Sequence, residues 1–524
     1  MRGIGRIADR AALAAAVSFL LTGWLLTSGA PARDASPALA ATIASTDPTP
    51  SPAVPVRGAD AVDAADVSDA AVQLTATPTA TAPTEIPTPA PEALLTFRGN
   101  LTRTFHGTGP VGAAPQIDWR YPDRAMCAAS TVGEETKTWC GTGWTGQPAV
   151  FLRDGRTWVV VGTYDRGVHF IDGETGQAIL PPFMTGDIIK GSVTVDPDGF
   201  PIVYSGSRDG RYRAIAFDGA APRELFAISA ADATGPTLWN DDWDGSGLVV
   251  DGHLIIGGEN SRLFVATLDR GYGPDGLVTL DAAVIADVPG WDDELLAAIG
   301  DRNVSIEGSV AIHDDTVYFA NSGGLVQGWS LASLTGDDEP ERTFRWWIGD
   351  DTDATVVIDP DSGHLIVAAE WERHTARSRE VGQVVRLDPT AEDPLVWSLH
   401  DPRAVAGASV AGVWGTPALW RDTVIVGTTA GTAYGLDAAT GEPRWTVELG
   451  DHLWSSPVII DDVWLQGDCA GTLHAFDLRH DEEPAARWAL PLGGGCIEST
   501  PAVLDGRLYV GTREGRIVGV DLAG

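Results

Sequence analysis

The chain has 524 residues and a formal net charge of -37 at pH 7, from 35 basic and 72 acidic side chains. So acidic a chain lacks the basic face that binding to phosphate backbones requires, which argues against nucleic acid as a partner. Its length would indicate three or more domains, unless internal repeats form a single large closed unit.

The N-terminal residues are typical of an export signal. Arg2, Arg6 and Arg10 precede an apolar run from Ala11 to about Ala30, and small residues follow at 35–41. The run is also long enough to remain in a bilayer as an anchor. Residues 1–41 are therefore predicted to be a signal peptide or an N-terminal membrane anchor. The protein is expected outside the cytoplasm, extracellular or in the cell envelope, with membrane contact only through this segment.

Residues 42–93 are rich in Ala, Thr, Pro, Ser and Asp and contain scarcely an aromatic residue. Such a segment buries too little apolar surface to fold. We predict a disordered stalk that separates the folded part from the membrane or wall.

The remaining chain, 94–524, repeats itself. Eight six-residue windows share one pattern, and the third position is always Ser, Thr or Gln. The windows are TGQPAV at 145, KGSVTV at 190, DGSGLV at 244, EGSVAI at 307, DATVVI at 353, WGTPAL at 414, WSSPVI at 454 and ESTPAV at 498. Their spacing predicts an all-β chain forming a single eight-bladed β-propeller of four-stranded antiparallel blades.

Each window is followed by a second strand, a tight polar turn and a third strand, and several copies continue into a fourth strand that carries Trp. The last copy ends after its third strand at Asp521. Residues 116–122 are predicted to form a fourth strand that belongs to no adjacent copy of the repeat. Trp119 has the same position in this strand as Trp445 and Trp488 have in the fourth strands of their copies. We predict that this N-terminal strand closes the ring in the last blade, and that deleting 94–122 destabilises the whole propeller.

The segment Gly435–Trp445 and the opening 97–110 resemble the pyrroloquinoline-quinone (PQQ)-like repeat of bacterial secreted propellers in the quinoprotein alcohol dehydrogenase-like superfamily. The resemblance covers 94–524 and implies the propeller fold. It leaves the activity open, because the repeat occurs both in quinone-dependent alcohol dehydrogenases and in assembly proteins that bind no cofactor.

The first position of each window is expected at the mouth of the central channel. This ring consists of Thr145, Lys190, Asp244, Glu307, Asp353, Trp414, Trp454 and Glu498. The turns between second and third strands form a wider ring on the same face, with Asp165, Arg166, Arg208, Asp209, Glu259, Asn260, Glu370, Asp468, Arg513 and Glu514. Such rings are also what solubility alone would favour.

Asp244, Glu307 and Asp353 are candidate ligands for Ca²⁺, a hard cation that takes oxygen ligands. The same three residues are the candidate catalytic residues should the protein be an enzyme. Further oxygens are available nearby from Asp241, Asp242, Asn303, Asp350 and Asp351. Candidate contacts to a cofactor such as PQQ are Trp414, Trp454, Lys190 and Glu498, since indoles offer a flat surface to a ring-shaped ligand.

Four cysteines are too few and too widely spaced for a zinc ribbon. In an exported protein, two disulfides are expected. Cys469 and Cys496 are placed on the top face in neighbouring blades, and Cys127 and Cys140 lie in the loop entering the first blade. We therefore predict the pairs Cys469–Cys496 and Cys127–Cys140.

Two enlarged loops add to the same face: 291–303, predicted to contain a short helix, and 370–382 in the turn of the fifth blade. The sequence favours an extracytoplasmic binding or scaffold module with a protein or glycan partner at the cell surface. One alternative is a Ca²⁺- and PQQ-dependent dehydrogenase for alcohols or sugars, although the chain has neither adjacent cysteines nor a CxxCH haem motif. Another is a glycan-binding propeller using Trp414 and Trp454. Hydrolase motifs such as HExxH and GxSxG are absent.

Overall fold

The computed structural model of the chain describes residues 93–132, 135–143, 146–479 and 483–524. The predicted export segment (1–41) and all but the last residue of the predicted stalk (42–93) lie outside these ranges. Within the described ranges, no helix combines the length and apolar character needed to cross a bilayer.

Eight four-stranded antiparallel sheets form the blades of a propeller, which confirms the predicted fold class. In blades 1 to 7 the chain runs from the innermost strand outward, whereas blade 8 takes its outermost strand from an earlier part of the chain. The strands of blades 1 to 4 are Ala149–Arg153, Arg156–Gly162, Gly167–Asp172 and Ala178–Met184; Thr194–Val195, Ile202–Ser205, Arg211–Ala216 and Arg223–Ser229; Leu248–Val250, His253–Gly257, Arg262–Tyr272 and Val278–Pro289; Ala311–His313, Thr316–Ala320, Leu325–Ser330 and Arg342–Trp347.

The second half of the ring repeats the arrangement. The strands of blades 5 to 8 are Val357–Ile358, Leu365–Ala368, Val384–Leu387 and Leu395–Leu399; Ala418–Trp420, Thr423–Gly427, Thr432–Asp437 and Pro443–Glu448; Val458–Ile460, Val463–Gly467, Thr472–Asp477 and Ala485–Pro491; Ala502–Leu504, Arg507–Thr512, Arg516–Asp521 and Gln116–Tyr121. A separate hairpin has the strands Cys127–Val132 and Glu135–Cys140.

Short helices lie in the loops. They are the 3₁₀ helix Ala230–Asp232 and the α-helices Asp293–Ile299, Leu331–Thr335, Ala376–Val381 and Pro402–Val405. The helix predicted within 291–303 is confirmed. Its N-cap Asp292 accepts a hydrogen bond from the Leu295 amide, and Gly300 ends it with a φ of 67°.

Blade faces pack against one another, and this explains the patterning of the strands. The second strand of blade 6, Thr423–Gly427, is buried at every residue because both of its faces meet neighbouring blades. In the outermost strand of the same blade, Trp445 and Val447 are buried while their neighbours are exposed. The core is thus a ring of interblade clusters rather than one central cluster.

The outer tryptophans join each blade to the next. Trp397 of blade 5 donates its indole N–H to the Ala438 carbonyl of blade 6, at 2.8 Å. The same indole covers Gly441, where a Cβ would lie 2.6 Å from the ring. The TG…W pattern of the repeat therefore encodes a docking contact, in which the glycine of one blade makes room for the tryptophan of the preceding blade.

Ring closure follows the prediction. The strand Gln116–Tyr121 pairs antiparallel with Arg516–Asp521 as the outermost strand of blade 8. Trp119 donates to the Gly173 carbonyl of blade 1 at 2.9 Å and covers Gly176, as Trp397 covers Gly441. The first and last blades are thereby joined by the same contact that joins the others.

Residues 94–108, which we call the hub segment, run around the inside of the channel. Their backbone hydrogen-bonds to the innermost strands of five blades, at Val150, Val195, Ile312, Ile358 and Val503. Side chains of the hub segment reach the other three blades at Ser246, Thr416 and Ile459. These contacts pair edges that would otherwise face the channel unpaired.

Candidate functional site

The third position of the windows fixes the blades around the channel. Its hydroxyl accepts the amide hydrogen of the third-position residue in the preceding blade. The contacts are Gln147 to Ser192, Ser246 to Ser309, Ser309 to Thr355, Thr355 to Thr416 and Thr416 to Ser456, at 2.9–3.0 Å. The first positions, two residues earlier, are thereby held at the channel mouth.

A cation of the protein itself occupies the mouth at blade 3. The Lys190 ammonium contacts the carboxylate of Asp244 and lies 2.9 Å from Glu259 Oε1. Burial disfavours the ammonium, but Asp244 and Glu259 outweigh it and raise the Lys190 pKa well above its usual value. Asp242, the third carboxylate of this cluster, pairs with Arg208. We call Asp242, Asp244 and Glu259 the blade-3 cluster.

Blade 5 carries a matching set of carboxylates, Asp351, Asp353 and Glu370, which we call the blade-5 cluster. One oxygen from each lies within 4.8 Å of the others. Asp351 and Glu370 are each 4% exposed, and neither Asp351 Oδ1 nor Glu370 Oε1 receives a hydrogen bond from any part of the chain that the structure describes. Burial raises the pKa of all three carboxyls.

Among the described residues, the cations whose charges act on the blade-5 cluster, Lys190 and Arg373, also contact other carboxylates. Arg373 Nη2 lies 3.6 Å from Asp351 Oδ2, but its Nη1 donates to Asp301 at 2.7 Å. Glu307, from blade 4, adds a further carboxylate. Ser322 Oγ lies 3.2 Å from Glu307 Oε1 and 3.4 Å from Asp353 Oδ1. Burial, and then the neighbouring Asp353, raise the Glu307 pKa well above its usual value.

The two clusters occupy equivalent places in the repeat. Each has Asp-x-Asp at the start of a window and a Glu in the turn of the same blade. The first position of the preceding blade is Lys190 beside the blade-3 cluster and Glu307 beside the blade-5 cluster. One copy therefore contains an ammonium group where the other copy contains a fourth carboxylate.

The indoles predicted as a ligand platform lie against each other. The ring centroids of Trp414 and Trp454 are 4.6 Å apart with an interplanar angle of 18°. The His452 ring stacks on Trp454 at 5.3 Å. A planar ligand cannot insert between the two indoles, because the indole centroids on either side of an inserted ring would have to lie about twice as far apart. Any flat ligand would have to use the faces that this stack leaves uncovered.

A disulfide-closed hairpin adjoins the mouth at blades 8, 1 and 2. Both predicted disulfides, Cys127–Cys140 and Cys469–Cys496, are present. Trp139 of the hairpin packs against the guanidinium groups of Arg208 and Arg513.

Glu498 lies 3.6 Å from Arg513, and burial raises the pKa of its carboxyl to about 7. Thr145, the remaining member of the predicted ring, lies outside the described residues.

The predicted calcium ligands are thus divided between two places. Asp244 belongs to the blade-3 cluster, Asp353 belongs to the blade-5 cluster, and Glu307 lies beside the latter. Sequence reasoning placed Glu259 and Glu370 only on the wider ring and did not name them as ligands. The signal that would have identified them is a Glu in the turn between the second and third strands of each blade that carries an Asp-x-Asp pair.

A family model of PQQ-type repeats described as "Outer membrane protein assembly factor BamB" matches residues 352–524. A search of curated proteins found no match. Among solved structures, a quinohemoprotein alcohol dehydrogenase, ADHIIG, from Pseudomonas putida HK5 is 11% identical with a TM-score of 0.54. The alignment covers 84% of this chain and 83% of that chain.

A europium-containing methanol dehydrogenase is 13% identical, with a TM-score of 0.54 and coverage of 80% of this chain and 89% of that chain. BamB from Moraxella catarrhalis is 17% identical, with a TM-score of 0.49 and coverage of 71% and 95%. At these identities the likeness to the two dehydrogenases concerns the fold. The predicted resemblance is confirmed, since residues 352–524 match the PQQ-type repeat family and the whole ring has the propeller fold shared with quinoprotein dehydrogenases.

Proposed function

We propose that the protein is an extracytoplasmic binding or scaffold module whose channel mouth holds a divalent cation at the blade-5 cluster and, through it, an oxygen-bearing ligand. The observation that carries the proposal is the comparison of the two clusters. At blade 3 two carboxylates contact the Lys190 ammonium and the third pairs with Arg208, whereas at blade 5 the equivalent carboxylates lie beside Glu307.

Buried carboxylates that share a site are costly unless they bind protons or a cation. Asp351, Asp353, Glu370 and Glu307 supply only oxygen atoms, which suits Ca²⁺ and disfavours the soft metals. Ca²⁺ takes about 6–8 oxygens, so positions remain for water and for oxygens of a bound partner. Two disulfides support a location in an oxidising compartment.

Blade 6 and blade 7 follow blade 5 around the ring and carry the stacked Trp414 and Trp454. Exposed faces of indoles are surfaces on which sugars and aromatic side chains pack. A glycan or protein partner that coordinates the cation would also pack against this indole surface on the adjoining blades.

Calorimetric titration of the chelator-treated protein with Ca²⁺ tests the proposal. We expect saturable binding with a stoichiometry of one. The double variant D351N/E370Q should lose this binding, and without Ca²⁺ it should be more stable than the wild type because like charges have been removed. The matched control E259Q alters the filled blade-3 cluster, so it should lower stability and keep the Ca²⁺ response. Absence of Ca²⁺ binding to the wild type would contradict the proposal.

A second candidate is a quinone-dependent dehydrogenase, favoured by buried carboxyls of raised pKa next to the proposed cation. Bound PQQ would supply the electron-accepting carbonyl chemistry, and Glu307 or Asp353 would take the alcohol proton. The fit is poorer than for Ca²⁺. The nearby cations Lys190 and Arg373 are engaged by carboxylates, and the two indoles leave no slot between them.

Titrating the Ca²⁺-loaded protein with PQQ separates the two functions. Absorbance reports quinone binding, and reduction of a dye with a panel of alcohols and sugars reports turnover. Saturable binding with substrate-dependent reduction would establish the dehydrogenase and make Glu307 and Asp353 the residues to replace. Ca²⁺ binding without quinone binding is the result that the binding module requires.

A further inference from the structure

Two buried cations of the hub segment lie at the floor of the channel. Arg98 and Arg103 of the hub segment are both 0% exposed. Neither forms an ion pair with any carboxylate in the described ranges. Burial lowers the pKa of each guanidinium to about 9, so both remain charged at neutral pH.

The donors of Arg103 are well matched by neutral acceptors. Its Nε donates to the Val310 carbonyl at 2.8 Å, Nη1 donates to the Phe97 carbonyl at 2.6 Å, and Nη2 donates to the Ser246 carbonyl at 3.1 Å. Carbonyl dipoles around a guanidinium stabilise its charge in the absence of a carboxylate. Arg103 therefore requires no further partner.

Arg98 is different because not all of its donors have an acceptor among the described residues. Its Nε is buried and has no hydrogen-bond partner among the described atoms, while Nη2 donates to the Thr416 carbonyl at 3.0 Å. Its Nη1 lies 2.7 Å from His106 Nε2. The other ring nitrogen of His106 accepts the Ile459 amide hydrogen at 2.8 Å.

The contact with His106 does not supply an acceptor for Arg98 either. Burial, and then the charge of Arg98, lower the His106 pKa well below its usual value, so the ring is neutral. A neutral ring that accepts at Nδ1 carries its hydrogen on Nε2. That hydrogen faces a guanidinium nitrogen, which has no lone pair to accept it. The guanidinium of Arg98 thus has one donor without an acceptor and another opposite a donor.

We infer that a small monovalent anion of the halide type binds beside Arg98 Nε in the floor of the channel. A water molecule would satisfy the donor but leave the buried charge uncompensated, whereas an anion does both. A further buried hydroxyl without a partner is connected to the Arg98 backbone through Gln147. Gln147 accepts the Arg98 amide and donates to the Pro501 carbonyl, and the hydroxyl of the adjacent Thr500 is buried and unpartnered within the described structure. This site is separate from the proposed cation site, which lies at the mouth.

Urea unfolding of the full chain in sodium chloride and in sodium gluconate, at equal ionic strength, tests the inference. Gluconate is too large for a fully buried site, so only chloride should stabilise. As the chloride concentration rises, the unfolding equilibrium constant should fall by the factor 1 + [chloride]/Kd, where Kd is the dissociation constant of chloride at this site. The variant R98M should lose the chloride dependence. The control R479M, at an exposed ion pair, should keep it.

Crystals grown in bromide provide a measurement that does not depend on a variant that folds. We expect an anomalous bromide peak beside Arg98 Nε in the wild-type protein. Identical unfolding in chloride and gluconate, a chloride response that persists in R98M, or bromide-containing crystals without a peak at Arg98 would each overturn the inference.

Discussion

At the scale of single residues, the first position of each window decides which charge a blade presents to the mouth. Lys190 and Glu307 occupy this position in consecutive even-numbered blades, and each faces the cluster of the next blade. Because the surrounding carboxylates are equivalent, exchanging these two residues should exchange the properties of the two clusters.

Replacing Lys190 by Met should leave the blade-3 cluster without its cation. Breaking a buried ion pair from one side costs about 3–5 kcal/mol, so we expect K190M to be less stable in chelator by roughly this amount. Ca²⁺ should recover much of the loss, and the calorimetric stoichiometry should rise from one to two. Equal stability losses with and without Ca²⁺ would show that the blade-3 carboxylates cannot hold a metal ion.

The reciprocal variant E307K places an ammonium group beside the blade-5 cluster. We expect E307K to unfold at higher urea concentration than the wild type in chelator, because the added charge pairs with Asp353 and its neighbours. Its unfolding should no longer respond to Ca²⁺. A Ca²⁺ response as large as that of the wild type would argue against the equivalence of the two clusters.

At the scale of elements, the contact between an outer tryptophan and the glycine of the following blade is the repeated joint. Gly176 has a φ of 67°, and a Cβ there would lie 2.6 Å from the Trp119 ring. Gly155 has a φ of 70° in a turn of the same blade, and nothing lies within 4 Å of its Cβ position. These two glycines share a backbone conformation and differ in the indole contact.

Substituting each by alanine separates the two effects. G155A should cost about 1–2 kcal/mol, the cost of a left-handed conformation for a residue with a Cβ. G176A should cost a further ~1–3 kcal/mol because the indole must move, and Trp119 belongs to the strand that closes the ring. Urea unfolding of both variants gives the difference. Equal losses would mean that the indole contact contributes little to closure.

Much of this element-level organisation was readable from the sequence. The placement of Trp119 relative to Trp445 predicted the closing strand, and the windows predicted every innermost strand. Residues 94–108 were recognised only by resemblance, because a segment whose successive residues contact different blades has neither strand nor helix periodicity. The clusters were predicted in part, since sequence spacing indicates the face on which Glu259 and Glu370 lie but not the distances between side chains.

At the scale of the whole molecule, the propeller separates charge along its channel. The floor holds Arg98 and Arg103, and the mouth holds the carboxylates of the blade-3 and blade-5 clusters. Third-position hydroxyls between them tie adjacent blades together. The folded protein therefore buries groups of carboxylates at the channel mouth, and its stability should depend on pH through these groups.

Glu498 provides the clearest case, because burial raises its pKa to about 7 from an ordinary value of 4.5. Arg513 lies 3.6 Å away and opposes the shift, while burial keeps the neighbouring Tyr164 neutral. A carboxyl whose pKa is raised by folding binds more protons in the folded state between these two pH values. Its contribution to stability is complete below about pH 4.5 and is lost as the pH rises through about 7.

The variant E498Q removes this titration. Relative to the wild type, its free energy of unfolding should increase between pH 4.5 and pH 8 by on the order of 3 kcal/mol, since one pKa unit corresponds to about 1.4 kcal/mol. Urea unfolding in chelator across this range measures the difference, with E514Q, in the exposed turn of the same blade, as the control. A difference between E498Q and the wild type that does not change with pH would mean that Glu498 is already ionised in the folded protein, held by Arg513.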